Sequence, residues 1–314
     1  MRCTAPWTIA AMPHAASPPS PSRWPVVALT VNAFVWGTSW WPFRQLQAIG
    51  LHPLWATFLI YAVAVVTIVA LRPRALRQLI GTPVLWVLVL ASGSTNAAFN
   101  WAVTVGDVVR VVLLFYLMPL WSALLARLLL HEPLTRIAGL RVLLALGGAV
   151  IVLWPAERSG WDALPLPHTL PDWLGVLGGF TFALNNVMLR REAQRPEEGR
   201  ALAMFSGGLL VAGVLAPGLA LDGRAPWPPA PAPLWLAGVL GLAVVFLAGN
   251  LALQYGAARL PANITSVVML TEVLFASVSA LALGGGTLGA QLLVGGALIL
   301  LGALLSALAP GASH

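Results

Sequence analysis

Asn96-Ala97-Ala98-Phe99-Asn100-Trp101 returns 154 residues later as Asn250-Leu251-Ala252-Leu253-Gln254-Tyr255. Each copy sets one amide, a second amide four residues on, and an aromatic directly after it inside a long apolar run. Ala, Leu, Val and Gly align with almost anything, but matched amides followed by matched aromatics do not, so the pairing marks an internal repeat. Outward from it, an offset of 146 sets Trp36 against Phe182 and Arg44 against Arg190. An offset of about 153 sets Leu120–Arg127 against Val273–Ala280 and brings Gly147–Val152 near Leu300–Leu305.

Each copy holds five apolar stretches of roughly the 20 residues that a helix needs to cross a bilayer. They cover about 25–47, 53–71, 83–105, 108–130 and 134–154, then 172–190, 200–221, 234–257, 260–283 and 288–308. Five is odd, so the second copy enters the bilayer upside down. The expected fold is an all-α membrane protein of ten transmembrane helices, built as two inverted five-helix repeats. Such halves frame a site near mid-membrane that opens to either side in turn. The expected division is a disordered cytoplasmic tail over 1–24, rich in Pro, Ser and Ala, then a first repeat over 25–154. A periplasmic connection over 155–171, a second repeat over 172–308 and a short tail over 309–314 follow.

Composition agrees: 59% of the 314 residues are hydrophobic and 9% charged, against about 25% charged in soluble domains. The net charge of +7 comes from 17 arginines and no lysine. With the N-terminus inside, Arg2, Arg23, Arg72, Arg74, Arg77, Arg127, Arg136, Arg141, Arg190, Arg191, Arg195, Arg200 and Arg259 fall on the cytoplasmic side. Only Arg44, Arg110, Arg158 and Arg224 fall opposite. Thirteen against four puts both termini in the cytoplasm, and the inner (plasma) membrane is the expected location. The charge is therefore a topology signal and no nucleic-acid partner is expected. Cys3 is the only cysteine, which excludes an internal disulfide and a cysteine metal cluster. The Pro-rich run Ala225–Pro233 reads as a stiff external linker.

Polar groups in hydrocarbon cost free energy unless they find a partner or a wet cavity, which makes them functional candidates. Of the ten acids only Glu272 is deep, about 16 Å along its helix from Pro261. Thr265, Glu272 and Ser279 share one helix face. A carboxyl there suits proton coupling or the counter-charge of a substrate ammonium; the plainer reading is a protonated Glu bonded to a neighbouring helix. Asn96 with Asn100, and Asn250 with Gln254, form polar stripes, open between helix–helix glue and substrate contact. Asn32, Trp36, Ser39 and Phe43 give a similar mixed stripe, and Asn185-Asn186 is the best polar match to Thr38-Ser39, which makes Asn186 a candidate. Trp36, Trp101, Tyr116 and Tyr255 are candidate walls of an amphipathic cavity, or interface and packing aromatics. Asp107 and Arg110, three apart, are expected to pair as a structural or gating element; otherwise Arg110 holds a substrate carboxylate. Gly147-Gly148 and Gly295-Gly296 allow close helix packing, as scaffold or dimer face, so monomer and homodimer both stay open.

An intramembrane enzyme finds no support. No Asp pair is embedded, and His131-Glu132-Pro133-Leu134-Thr135 ends in Thr where a zinc protease motif needs His. No phosphate-cradling Gly-x-x-x-x-Gly-Lys loop occurs either, so no metal or organic cofactor is expected. A channel or a non-transporting scaffold is the rival from another class, but no ring of charges or repeated filter segment is present.

Trp36-Gly37-Thr38-Ser39, then Tyr116-Leu117-Met118-Pro119-Leu120-Trp121 followed by His131-Glu132-Pro133-Leu134-Thr135, give the chain its likeness to a known group. Over about residues 25–308 it resembles the drug/metabolite transporter superfamily, in its ten-span EamA-type branch. The resemblance implies a secondary transporter that exports amino acids or related small metabolites by alternating access. Drug efflux, uniport and exchange are the alternatives. It also implies a cavity enclosed by the first, third, fourth, sixth, eighth and ninth stretches. The chain departs from the pattern at three places. His131 stands where the family's Gly-Glu motif has Gly, and the second copy, Gly284-Gly285-Gly286-Thr287, has no acid. Glu272-Val273-Leu274 replaces the Glu-Pro-Val of many relatives. Glu132 is therefore expected to brace its hairpin and not to bind substrate.

Overall fold

A computed structural model describes residues 23–131, 136–154, 166–192, 194–257, 268–269 and 271–308. Glu132, Pro261, Thr265, the 1–22 tail and most of the 155–171 connection lie outside the described residues, as does the side chain of Gln254. Among the described residues every regular element is a helix. The first five are α1 (Trp24–Thr38), α2 (Trp40–Ala48), α3 (Pro53–Leu71), α4 (Arg74–Ile80) and α5 (Leu85–Val105). The next four are α6 (Val108–Phe115), α7 (Met118–Leu129), α8 (Arg136–Leu153) and α9 (Leu170–Arg191). The last four are α10 (Glu197–Leu221), α11 (Pro233–Ala257), α12 (Thr271–Ala282) and α13 (Ala290–Leu308).

Local chemistry sets several of these starts. Pro53 opens α3 where a missing N–H costs nothing, and the His52 Nδ1 accepts the Leu54 N–H at 3.3 Å. Asp107 caps α6 by accepting the Arg110 N–H at 2.9 Å. Thr169 and Asp172 form a reciprocal capping box at α9. Past the end of α7, His131 adopts φ +57°, the left-handed conformation in which helices commonly stop and in which glycine carries no Cβ penalty. That explains why the resembling motif has Gly at this place.

Every one of the ten expected stretches carries helix, but length and apolarity single out fewer spans. α3, Val108–Leu129 (α6 running into α7), α10 and Pro233–Leu253 are each long and apolar enough to cross a membrane. A fifth is added if α4 and α5, bent by 101°, count as one. The rest fall short for separate reasons. The first stretch breaks at Ser39 into α1 and α2, and α9 is diluted by Asp172, Asn185 and Asn186. α12 is described only from Thr271, and α8 and α13 include side chains that lie outside the described residues.

Packing follows the two-copy pattern. α1 packs on α11 and on α12, and the corresponding helices of the other copy make the matching pairs, α9 on α5 and on α6–α7. α3 meets α10 and α8 meets α13, each helix against its own counterpart. A hydrogen bond from Asn32 Nδ2 to the Gly249 carbonyl, 2.8 Å, joins α1 to α11. At the equivalent place Thr95 Oγ1 lies 2.9 Å from Thr181 Oγ1, joining α5 to α9. Bare backbone allows the closest approaches: a Cβ on Gly207 of α10 would lie 2.2 Å from the Val89 carbonyl of α5. One buried cluster surrounds Leu114, Phe115 and Ala276, and a second surrounds Phe43, Tyr61 and Phe246. The cavity lies between them.

Candidate functional site

Eight helices converge on a cavity of about 120 Å³. α1 contributes Trp36, α5 contributes Asn96, α9 contributes Phe182 and Asn185, α11 contributes Asn250, and α12 contributes Glu272. The repeat pairs stay together here, since Trp36 with Phe182 and Asn96 with Asn250 all line the same space. Two helices beyond the expected set also reach it: α3 through Tyr61 and α10 through Met204 and Phe205. At about 30 Å³ per water the volume holds roughly four waters, below the usual range for drug-sized ligands.

Aromatic rings make most of the wall. Trp36 stacks on Phe246 with centroids 4.7 Å apart. On another side Phe115 meets Phe99 at 4.9 Å and Phe182 at 5.2 Å. Glu272, in the first turn of α12, is the acid of the lining among the described residues, and its carboxyl faces the Tyr116 hydroxyl. That hydroxyl also lies 3.4 Å from the Met269 carbonyl.

The polar groups divide into satisfied and unsatisfied. The Tyr61 hydroxyl donates to Asn96 Oδ1 at 2.5 Å, and Asn96 Nδ2 donates to the Ser92 carbonyl at 2.8 Å. Asn32 and Asn185 are 0% and 2% exposed, and the Oδ1 of each has no hydrogen-bond partner. Buried acceptors in that condition are costly.

Several expected lining residues face elsewhere. Ser39 hydrogen-bonds the Trp36 carbonyl at 2.9 Å, within the break between α1 and α2. Asn100 donates to Thr57 Oγ1 at 3.1 Å, which makes it a tie between α5 and α3. Trp101 stands edge-on to His52 at 5.5 Å. Tyr255 is exposed, and Tyr116 reaches the site only through Glu272. Asn186 is exposed while Asn185 lines the cavity. The helical period explains that correction, because Gly178, Thr181 and Asn185 are buried at i, i+3 and i+7 on one face of α9, and Asn186 lies about 100° round the helix from Asn185.

The expected Asp107–Arg110 side-chain pair is also corrected. Arg110 instead grips Asp172 of α9 from two nitrogens, Nε to Oδ1 at 2.6 Å and Nη2 to Oδ2 at 3.2 Å. Its Nη1 donates to the Val152 carbonyl at 2.7 Å. The Asp107 carboxylate accepts backbone N–H groups of Arg110 and Thr287, each at 2.9 Å. Asp172 lies 62 residues away in the other copy, and no local spacing signals it. Nearby, Arg44 donates to the carbonyls of Thr104, at 3.1 Å, and Gly106. These contacts tie the ends of α2, α5, α6 and α9 together around a second cavity of about 550 Å³.

The model of a family described as the EamA-like transporter family matches residues 23–154 and again 169–308. No curated protein matches the sequence. A solved structure titled only as the crystal structure of a protein shares the fold. It is 20% identical, with a TM-score of 0.58, over 91% of this chain and 96% of that one.

Proposed function

Because the chain belongs to the EamA-like transporter family, within the drug/metabolite transporter superfamily, we propose that it is a ten-span secondary carrier of the inner membrane. It moves a small amphipathic solute outward through the central cavity by alternating access, and amino acids and related metabolites are the first candidates. The protein is a multi-pass membrane protein of a transporter family; the finer reading rests on the cavity. Among the described residues a single carboxyl, Glu272, meets a space walled by aromatics from both copies, where a charge or a proton is held at the centre of the bundle. The arginine count makes the end closed by Arg110 and Asp172 the periplasmic one. The state described is then shut to the outside.

Glu272 is the proposed recognition and coupling group, and Tyr116 positions it. Carboxyls inside membrane bundles mark proton relays and substrate paths. The test is efflux of a labelled metabolite panel, amino acids first, from proteoliposomes with and without an imposed pH gradient. Saturable flux that follows the gradient, and that falls at least tenfold in Glu272→Gln, is the expected result. Flux indifferent to the gradient makes the protein a uniporter or exchanger. Conductance without saturation returns the channel reading.

A further inference from the structure

The carrier reading leaves open the charge of what is carried, and the cavity's hydrogen-bond ledger speaks to that. Three of its donors are committed within the protein. The Tyr61 hydroxyl serves Asn96 Oδ1, Asn96 Nδ2 serves the Ser92 carbonyl, and Asn32 Nδ2 serves the Gly249 carbonyl. Two of its acceptors are not: Asn32 Oδ1 and Asn185 Oδ1 have no partner, although both side chains are almost wholly buried. The lining includes one acid, Glu272, and no Arg, Lys or His among the described residues.

A substrate carboxylate entering this space meets the Glu272 carboxyl and acceptor oxygens, with no cation among the described residues to hold it. An ammonium brings three N–H donors and the opposite charge. The walls agree, because aromatic faces such as the Trp36–Phe246 stack carry negative quadrupole density that attracts cations. Desolvated polar sites discriminate strongly against a ligand that leaves their groups unpaired.

Resting on the carrier reading above, the geometry points to an organic ammonium with an apolar or aromatic body as the substrate class of this cavity. Within the metabolite panel this ranks amines above the amino acids of the same body, whose carboxylate finds no cation among the described lining residues. Glu272 supplies the counter-charge, and Asn32 and Asn185 accept from the ammonium N–H groups.

Phenethylamine and phenylalanine differ by one carboxylate and so make the probe pair. The full chain is reconstituted in liposomes at equal pH on both sides, and saturable counterflow of each labelled probe is read above protein-free liposomes. Phenethylamine is expected to move at least tenfold faster than phenylalanine. Glu272→Gln abolishes that flux, Glu272→Asp retains part of it, and Asn185→Leu lowers it several-fold. Phenylalanine moving as fast as the amine, or Glu272→Gln carrying the amine unchanged, overturns the inference and leaves the carrier standing. So does movement of another solute of the metabolite panel when neither probe moves. Absence of saturable flux for every solute tried brings down both readings.

Discussion

At the scale of single residues the chain relies on polar groups that only one protonation state or one orientation satisfies. His52 is an example outside the apolar stretches. Its Nδ1 accepts the Leu54 N–H at the start of α3, which requires the neutral ring. Burial lowers its pKa from the ordinary 6.5. A base with a lowered folded pKa binds fewer protons folded than unfolded, so stability rises with pH between the two values. The cap's contribution, about 1 kcal/mol, is therefore full above pH 6.5 and is lost as pH falls through the lowered value. Replacing His52→Asn keeps a cap that does not titrate. The melting temperature of the variant in detergent should vary less between pH 7.5 and 5 (about the range of the effect) than that of the parent. An equal acid slope in the two proteins would remove His52 as the cause. Asn96 and Asn250 were legible as a pair because two amides in two apolar runs are rare enough to align. Asn185 was read one position off because a doublet of asparagines gives no register until the buried face of α9, Gly178 and Thr181, supplies one.

At the scale of helices, the sequence announces apolar stretches but hides how they bend and touch. A helix that is apolar all round shows no directional stripe. Neither the break at Ser39 nor the 101° turn between α4 and α5 is written in periodicity. The glycines carry more. Gly207 of α10 faces backbone of α5, with an added Cβ 2.2 Å from the Val89 carbonyl and 2.6 Å from the Gly93 nitrogen, whereas Gly218 of the same helix has nothing within 4 Å. Gly207→Ala therefore forces two backbones apart and should cost about 2 kcal/mol, as overpacking does. Gly218→Ala should be neutral or gain up to about 1 kcal/mol from helix propensity. Thermal unfolding of the two variants decides this. Equal melting temperatures would mean that α5 and α10 are not held at the distance described.

At the scale of the whole molecule, the two copies are joined where local sequence gives no hint. Arg110 of the first copy and Asp172 of the second meet in a two-nitrogen grip, with side chains 30% and 1% exposed. Hydrogen bonds to charged groups contribute about 2 kcal/mol net, and the partial exposure of Arg110 keeps the value from rising to that of a fully buried pair. If the protein alternates as proposed, the outward-open state must lose this bond while the closed state keeps it. Removing it then shifts the equilibrium outward by about 2 kcal/mol, a factor of about 30. Ser92 lines the central cavity and is 3% exposed, which makes it a reporter once Cys3, the only native cysteine, is replaced. In a Cys3→Ser, Ser92→Cys background, Asp172→Asn should speed labelling by an impermeant maleimide from outside at least tenfold. A charge exchange, Arg110→Asp with Asp172→Arg, should bring the rate back toward the parent. Faster labelling in both variants would mean that the loosened end is only frayed. Labelling restored by the exchange assigns the effect to the bond itself, because the exchanged pair recovers the attraction and little else of the native surroundings.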